Sequence, residues 1–123
     1  MVLLVEDDEP IIRVLTIHLK KQGLDVKVAK TKQQALDHLK TTPHIHAILM
    51  DGWLGGEHTD TCDLIRTIRH TYTYDGHIIA MSSCPNTRMQ QQIAGCSLAA
   101  ASKLDVPRLV KQLTSTRLPR SHT

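Results

Sequence analysis

Four polar groups in this chain stand at the ends of apolar runs. Glu6, Asp7 and Asp8 come after Val2-Leu3-Leu4-Val5, and Asp51 comes after Ile48-Leu49-Met50. Ser82 and Ser83 come after Ile78-Ile79-Ala80-Met81, and Lys103 closes the run that begins at Leu98. Carboxylates gathered at one edge repel one another unless a cation stands between them. Magnesium suits such a set, because it needs only one or two carboxylates and keeps waters and a substrate phosphate in its shell. A lysine adds a mobile positive charge for a phosphate oxygen, and a serine hydroxyl adds a hydrogen bond to another. Together these groups are what transfer of a phosphoryl group onto a carboxylate requires, with a carboxylate as nucleophile and the metal and lysine offsetting the developing charge.

For that chemistry to occur, the chain must bring the four groups to one place. Residues 2–5 are a continuous apolar run, the pattern of a central parallel strand covered on both faces, and residues 45–50 make a third strand stopping at Asp51. Leu24, Val26 and Val28 alternate as a second strand, residues 77–81 make a fourth, and residues 98–101 a weak fifth. Between them lie helical stretches. Pro10 opens the first, with Ile11, Leu15, His18 and Leu19 on one face and Gly23 as its stop. Thr31 and Gln34 form a capping box ahead of Ala35, Leu36 and Leu39. Residues 52–56 read as a loop, followed by a helix with Leu64, Ile65 and Ile68 as its stripe. Residues 85–94 form a helix closed by Gly95, and residues 107–113 a last helix. Strands alternating with helices predict a doubly wound α/β fold, a five-stranded parallel sheet flanked by five helices, and right-handed crossovers leave few arrangements of the strands. Sites in such sheets lie at the carboxyl ends of the strands, where all four polar groups fall.

Length and composition fit one domain. The chain has 123 residues, with 41% hydrophobic and 22% charged side chains, and no Phe. Its core must therefore be aliphatic. We expect the domain over residues 1–116, with 117–123 as a tail or the start of a linker. Apolar runs fall short of the roughly 18 residues of a membrane span, and the acidic start is unlike a signal peptide, so the cytoplasm is the expected compartment. Cys62, Cys84 and Cys96 lack C-x-x-C spacing and read as buried thiols of a reducing compartment. The net charge of +3 arises largely from Lys103 onward, where five cations meet one acid. Scattered cations without a binding motif argue against nucleic acid as a direct partner. His44 and His46, two apart on the expected third strand, would face the same way, but no further ligand at matching spacing supports a metal there.

The segments LLVEDD, ILMD, IIAMSS and ASK, in this order, resemble the sequence landmarks of bacterial response-regulator receiver domains. The likeness runs from Val2 to about Leu113. It implies a flavodoxin-like fold with the strands in the order 2-1-3-4-5 and a phosphorylated aspartate at Asp51. It implies magnesium held by Glu6, Asp7, Asp51 and the backbone carbonyl of Trp53, with Ser82 and Lys103 as the catalytic hydroxyl and lysine. It also implies a histidine kinase or histidine phosphotransfer protein as phosphodonor, in a two-component or phosphorelay pathway. The downstream partner or output domain is unspecified. Of the two serines, Ser82 is read as the site residue and Ser83 as the cap of the following helix.

The sequence departs from the family at four places. Gly55 stands where a proline is usual, and Leu104 where a proline follows the lysine. The stretch from Asp51 to Arg69 is about two residues longer than usual, and the fifth strand lacks the switch Tyr or Phe. The last departure keeps open an alternative, a receiver-fold interaction module whose output is not controlled by phosphate. Without that aromatic, a phosphate-driven change would have to be carried by residues 82–85 or by the loop over 52–61. A phosphatase with an aspartyl-phosphate intermediate would need a second acid at Trp53, so a signalling switch is expected rather than a turnover enzyme.

Overall fold

The computed structural model describes residues 1–55 and 60–120, with side chains described through Leu113. Strands β1 (Val2–Val5), β2 (Val26–Ala29), β3 (Ala47–Met50), β4 (His77–Ala80) and β5 (Leu98–Ala99) form one parallel sheet in the order β2-β1-β3-β4-β5. Helices α1 (Glu9–Lys21), α2 (Lys32–Thr41), α3 (Cys62–His70), α4 (Pro85–Ala94) and α5 (Val106–Arg120) connect and flank the strands. This is the doubly wound, flavodoxin-like fold expected from the sequence.

Alternation along the strands splits the core in two. Leu3, Val5, Ile48, Met50, Ile78 and Ala80 face one side and pack with Ile65 and Ile68 of α3 and Ala94 of α4. Val2, Leu4, Leu49 and Ile79 face the other and meet Leu15 and Leu19 of α1 and Val110 of α5. Both faces are covered, which is why β1 and β3 are apolar at every position. The lining is aliphatic, in keeping with the absence of Phe.

Several boundaries differ from expectation, each for a local reason. Leu24 belongs to the end of α1: its N–H donates to the Leu19 carbonyl and the Gly23 N–H donates to Lys20, with Gly23 at φ +83°. That is a Schellman closure, which uses up Leu24 before the strand can begin. β3 starts at Ala47 because His44 adopts φ +59°, so His44 and His46 do not share a strand face. β5 has two residues, since Ser102 already caps a 3₁₀ turn over Lys103–Asp105 by accepting from the Leu104 N–H. α5 continues past the expected end near Leu113 and through part of the expected tail; Gly56 of the expected loop and residues 121–123 lie outside the described residues. The capping box forms: Thr31 Oγ1 accepts from the Gln34 N–H at 3.1 Å, and Gln34 Oε1 accepts from the Lys30 N–H at 2.7 Å.

Candidate functional site

Register decides what converges. Val5 pairs with Ala29 and Met50, Met50 with Ala80, and Ala80 with Ala99, so these residues form one row across the sheet. The chain leaves the sheet just beyond this row, at Glu6, Asp51, Ser82 and, after β5, Lys103. Glu6, Asp7 and Asp51 each present a carboxylate oxygen within 4.8 Å of the others. The Lys103 ammonium closes the group, 2.7 Å from Glu6 Oε1 and 3.1 Å from Asp51 Oδ1.

Each acid is held in place. Glu6 is fully buried; its Oε2 accepts from the N–H groups of Asp7 and Asp8 at 3.1 and 3.2 Å. Asp7 Oδ2 accepts from the Gly55 N–H at 2.7 Å, and Asp51 Oδ1 from the Gly52 N–H at 2.8 Å. Asp8 caps α1, accepting from the Ile11 N–H at 3.4 Å, so the acidic run serves both the site and the helix. Burial pushes the Glu6 carboxyl above the usual range; the Lys103 bond opposes this, and the Asp51 charge adds to it. For Lys103, burial acts downward, but the bond to Glu6 and the charges of Asp51 and Glu6 outweigh it and raise the ammonium above its ordinary value. The lysine is thereby kept charged.

Ser82 is buried beside this edge. A Cβ on Gly52 would stand 2.6 Å from Ser82 Cβ and 2.8 Å from its Oγ, so only glycine lets the Asp51 turn approach so closely. Ser82 Oγ accepts from the Cys84 N–H at 3.2 Å. The cap of α4 is therefore not Ser83, which is exposed: the N-cap position is Cys84, with Pro85 opening the helix. Cys84 is itself exposed, a correction to its reading as a buried thiol, whereas Cys62 and Cys96 are buried. Trp53 follows the Asp51 turn with its side chain 53% exposed.

Two buried residues at the site carry no motif. Thr61, ahead of α3, donates its hydroxyl to the Asp51 carbonyl at 2.6 Å. Gln91 of α4 donates from Nε2 to the carbonyls of Met50 and Asp51, each at 3.1 Å. The one hint in the sequence is that Gln91 precedes Ala94 by three, on the inward face of its helix. Thr61 offers no such hint.

An aspartate-centred acidic edge with a bridging lysine, at the carboxyl end of a doubly wound parallel sheet, defines a receiver-type signalling domain. The chain belongs to the response regulator receiver domain family, whose model matches residues 2–113. It is 35% identical over 71 residues to an NtrX-like response regulator of Rickettsia felis, a stretch that is 58% of this chain and 15% of that protein. The chain thus spans a small part of the curated relatives it matches. Its fold is similar to that of a two-component response regulator from Clostridium difficile, with a TM-score of 0.81 and 16% identity over 99% of this chain and 98% of the other. It is also similar to the response regulator TrrA from Thermotoga maritima in complex with Mg2+–BeF, with a TM-score of 0.74 and 19% identity over 91% and 96%.

Proposed function

We propose that this domain accepts a phosphoryl group on Asp51 from a phosphohistidine donor in a magnesium-dependent reaction that switches its partner interactions. The observation that carries this reading is the Lys103 ammonium bridging Glu6 and Asp51 beside Asp7. Three clustered carboxylates with one lysine suit a hard divalent ion. Glu6, Asp7, Asp51 and the Trp53 carbonyl are the residues that would hold magnesium, which when bound supplies positive charge to the phosphoryl oxygens. The Thermotoga maritima protein holds Mg2+–BeF on the same fold, which supports the reading.

In the transfer, an Asp51 carboxylate oxygen forms a bond to phosphorus as the phosphorus–nitrogen bond of the donor breaks, and the imidazole departs with the electron pair. Lys103 turns toward a phosphoryl oxygen, and the Ser82 hydroxyl donates to another. The residues act once per signal, so the domain is a switch rather than a turnover enzyme. Its donor is a histidine kinase or histidine phosphotransfer protein, its compartment the cytoplasm, and neither nucleic acid nor membrane is a direct partner of this domain. Among the described residues no helix is long and apolar enough to cross a membrane. Residues 1–116 form the receiver unit, with 117–123 as a tail or the start of a linker.

A second reading, an interaction module without phosphate control, draws on Ala100. This buried residue stands three before Lys103, and its methyl group has no rotamer to switch. Treatment with acetyl phosphate and magnesium separates the two. We expect one phosphate adduct, stable in acid and released by hydroxylamine, that is absent from Asp51→Asn. An adduct that survives Asp51→Asn refutes the site, and no adduct on the wild type favours the interaction module.

A further inference from the structure

The peptide of Asp51 lies past the end of the sheet ladder. Its N–H still donates to the Val5 carbonyl at 3.0 Å, but β1 ends there, and the Asp51 carbonyl must find partners elsewhere. It finds Thr61 Oγ1 at 2.6 Å and Gln91 Nε2 at 3.1 Å, both on fully buried residues. Gln91 Nε2 also lies 3.1 Å from the Met50 carbonyl and 3.3 Å from Thr61 Oγ1. Two carbonyls face the amide, so its nitrogen must point toward them.

This orientation leaves Gln91 Oε1 buried without a hydrogen-bond partner among the described residues. A buried acceptor left unpaired carries an unmet desolvation cost. α4 is tied to the site at a second point as well. At its N-terminus the Cys84 N–H donates to Ser82 Oγ, and Arg88 donates to the Ser82 carbonyl at 2.8 Å. On its outer side the helix carries exposed Met89 and Ile93.

We propose that Gln91 is the positioning residue through which the state of Asp51 is passed to helix α4. The proposal rests on Asp51 being the phosphoacceptor. Charge added at the Asp51 side chain redraws its bonds to the Gly52 N–H and Lys103, and the Asp51 peptide moves with them. Gln91 transmits that movement across 40 residues of chain to the middle of α4, and so to the apolar pair Met89 and Ile93. Ala100 cannot perform this task, for want of a rotamer.

The test is the change in backbone amide shifts on adding beryllofluoride and magnesium to the wild type, Gln91→Leu, Thr61→Val and Thr61→Ser. We expect shifts at Gly52, at Lys103 and along residues 85–94 in the wild type. In Gln91→Leu the first two should persist, while those along 85–94 fall at least threefold. Thr61→Val, which removes a hydroxyl that donates to Asp51 and accepts from Gln91, should lower them partly, and Thr61→Ser should restore them. If Gln91→Leu does not fold, the Thr61 pair decides alone: equal responses in Val and Ser overturn the proposal. Full α4 shifts in folded Gln91→Leu overturn it while leaving the phosphoacceptor reading intact. A wild type with no response at Gly52 or Lys103 overturns that reading, and this proposal with it.

Discussion

Lys103 Nζ lies 2.7 Å from Glu6 Oε1, a contact between residues 97 apart in sequence that fastens the loop after β5 to the end of the central strand β1. Glu6 is fully buried and the Lys103 side chain 21% exposed, so the pair is neither a surface bridge nor wholly desolvated.

Removing the cation should therefore cost both stability and function. Lys103→Ala leaves a buried carboxylate without its partner, and we expect a loss of about 1–3 kcal/mol, below the range for a wholly buried pair. Lys111→Ala, at an exposed position on α5, should stay within about 0.5 kcal/mol of wild type. Burial raises the folded Glu6 pKa above 4.5, so its contribution is present below that pH and is lost as pH rises through the folded value. Without Lys103 the loss deepens. The gap between wild type and Lys103→Ala in urea midpoint should widen from pH 4 to pH 7; a gap that is constant with pH would contradict the pairing.

Magnesium should quench or shift the fluorescence of Trp53, the one tryptophan of the chain, because its carbonyl is expected in the metal shell. Asp7→Ala should abolish the change. Asp7 also accepts from the Gly55 N–H, so the variant should loosen the same turn. An unaltered titration in Asp7→Ala would remove Asp7 from the ligand set.

Gly52→Ala should destabilise the domain by about 1–3 kcal/mol, since the added methyl meets Ser82 Cβ at 2.6 Å and Thr87 Cγ2 at 2.7 Å. Ser82→Gly in the same chain removes one of the two obstacles and should restore part of the loss. Thermal melts of the wild type and the two variants check this, and an unchanged single variant would show the turn to be looser than described.

The thiols should separate by reactivity. Hydrogen bonds from Thr87 lower the pKa of exposed Cys84, while burial raises that of Cys62 and pushes Cys96 up to about 12. Iodoacetamide should label one thiol per native chain, at Cys84, and all three in urea. For Cys96 the folded pKa exceeds the ordinary thiol value of 9.0, so its contribution is full below pH 9 and lost as pH rises toward 12. The raised Lys103 pKa acts in the same direction above 10.5. Stability should accordingly fall above pH 9, and less steeply in Cys96→Ala.

The sequence by itself determined the strands, the helix that Thr31 and Gln34 cap, and the acidic and lysine groups that end the strands. These are local matters. An apolar run covered on both faces, a hydroxyl three residues before a glutamine, and a charge that cannot enter the core are each written within a few neighbouring residues. The boundaries it misplaced, at Leu24, His44 and Ser83, depended on backbone angles and caps that compete over one or two residues.

Only the tertiary structure decided what meets what. The parallel register that sets Val5, Met50, Ala80 and Ala99 in one row is what brings Lys103 to Glu6 and Asp51. Residue type does not show which of three consecutive glutamines turns inward, and Gln91 is marked only by its spacing to Ala94. That is settled by the rotation of α4 on the sheet and by a carbonyl at Asp51 left without a strand to bond. Cys84 and Cys96 are the same residue type twelve apart, one at the N-cap of α4 and one just past its C-cap Gly95, and packing at the two ends of the helix leaves the first exposed and the second buried. Contacts between distant segments belong to the packed chain, because their energies exist only once the sheet and its helices have closed around them.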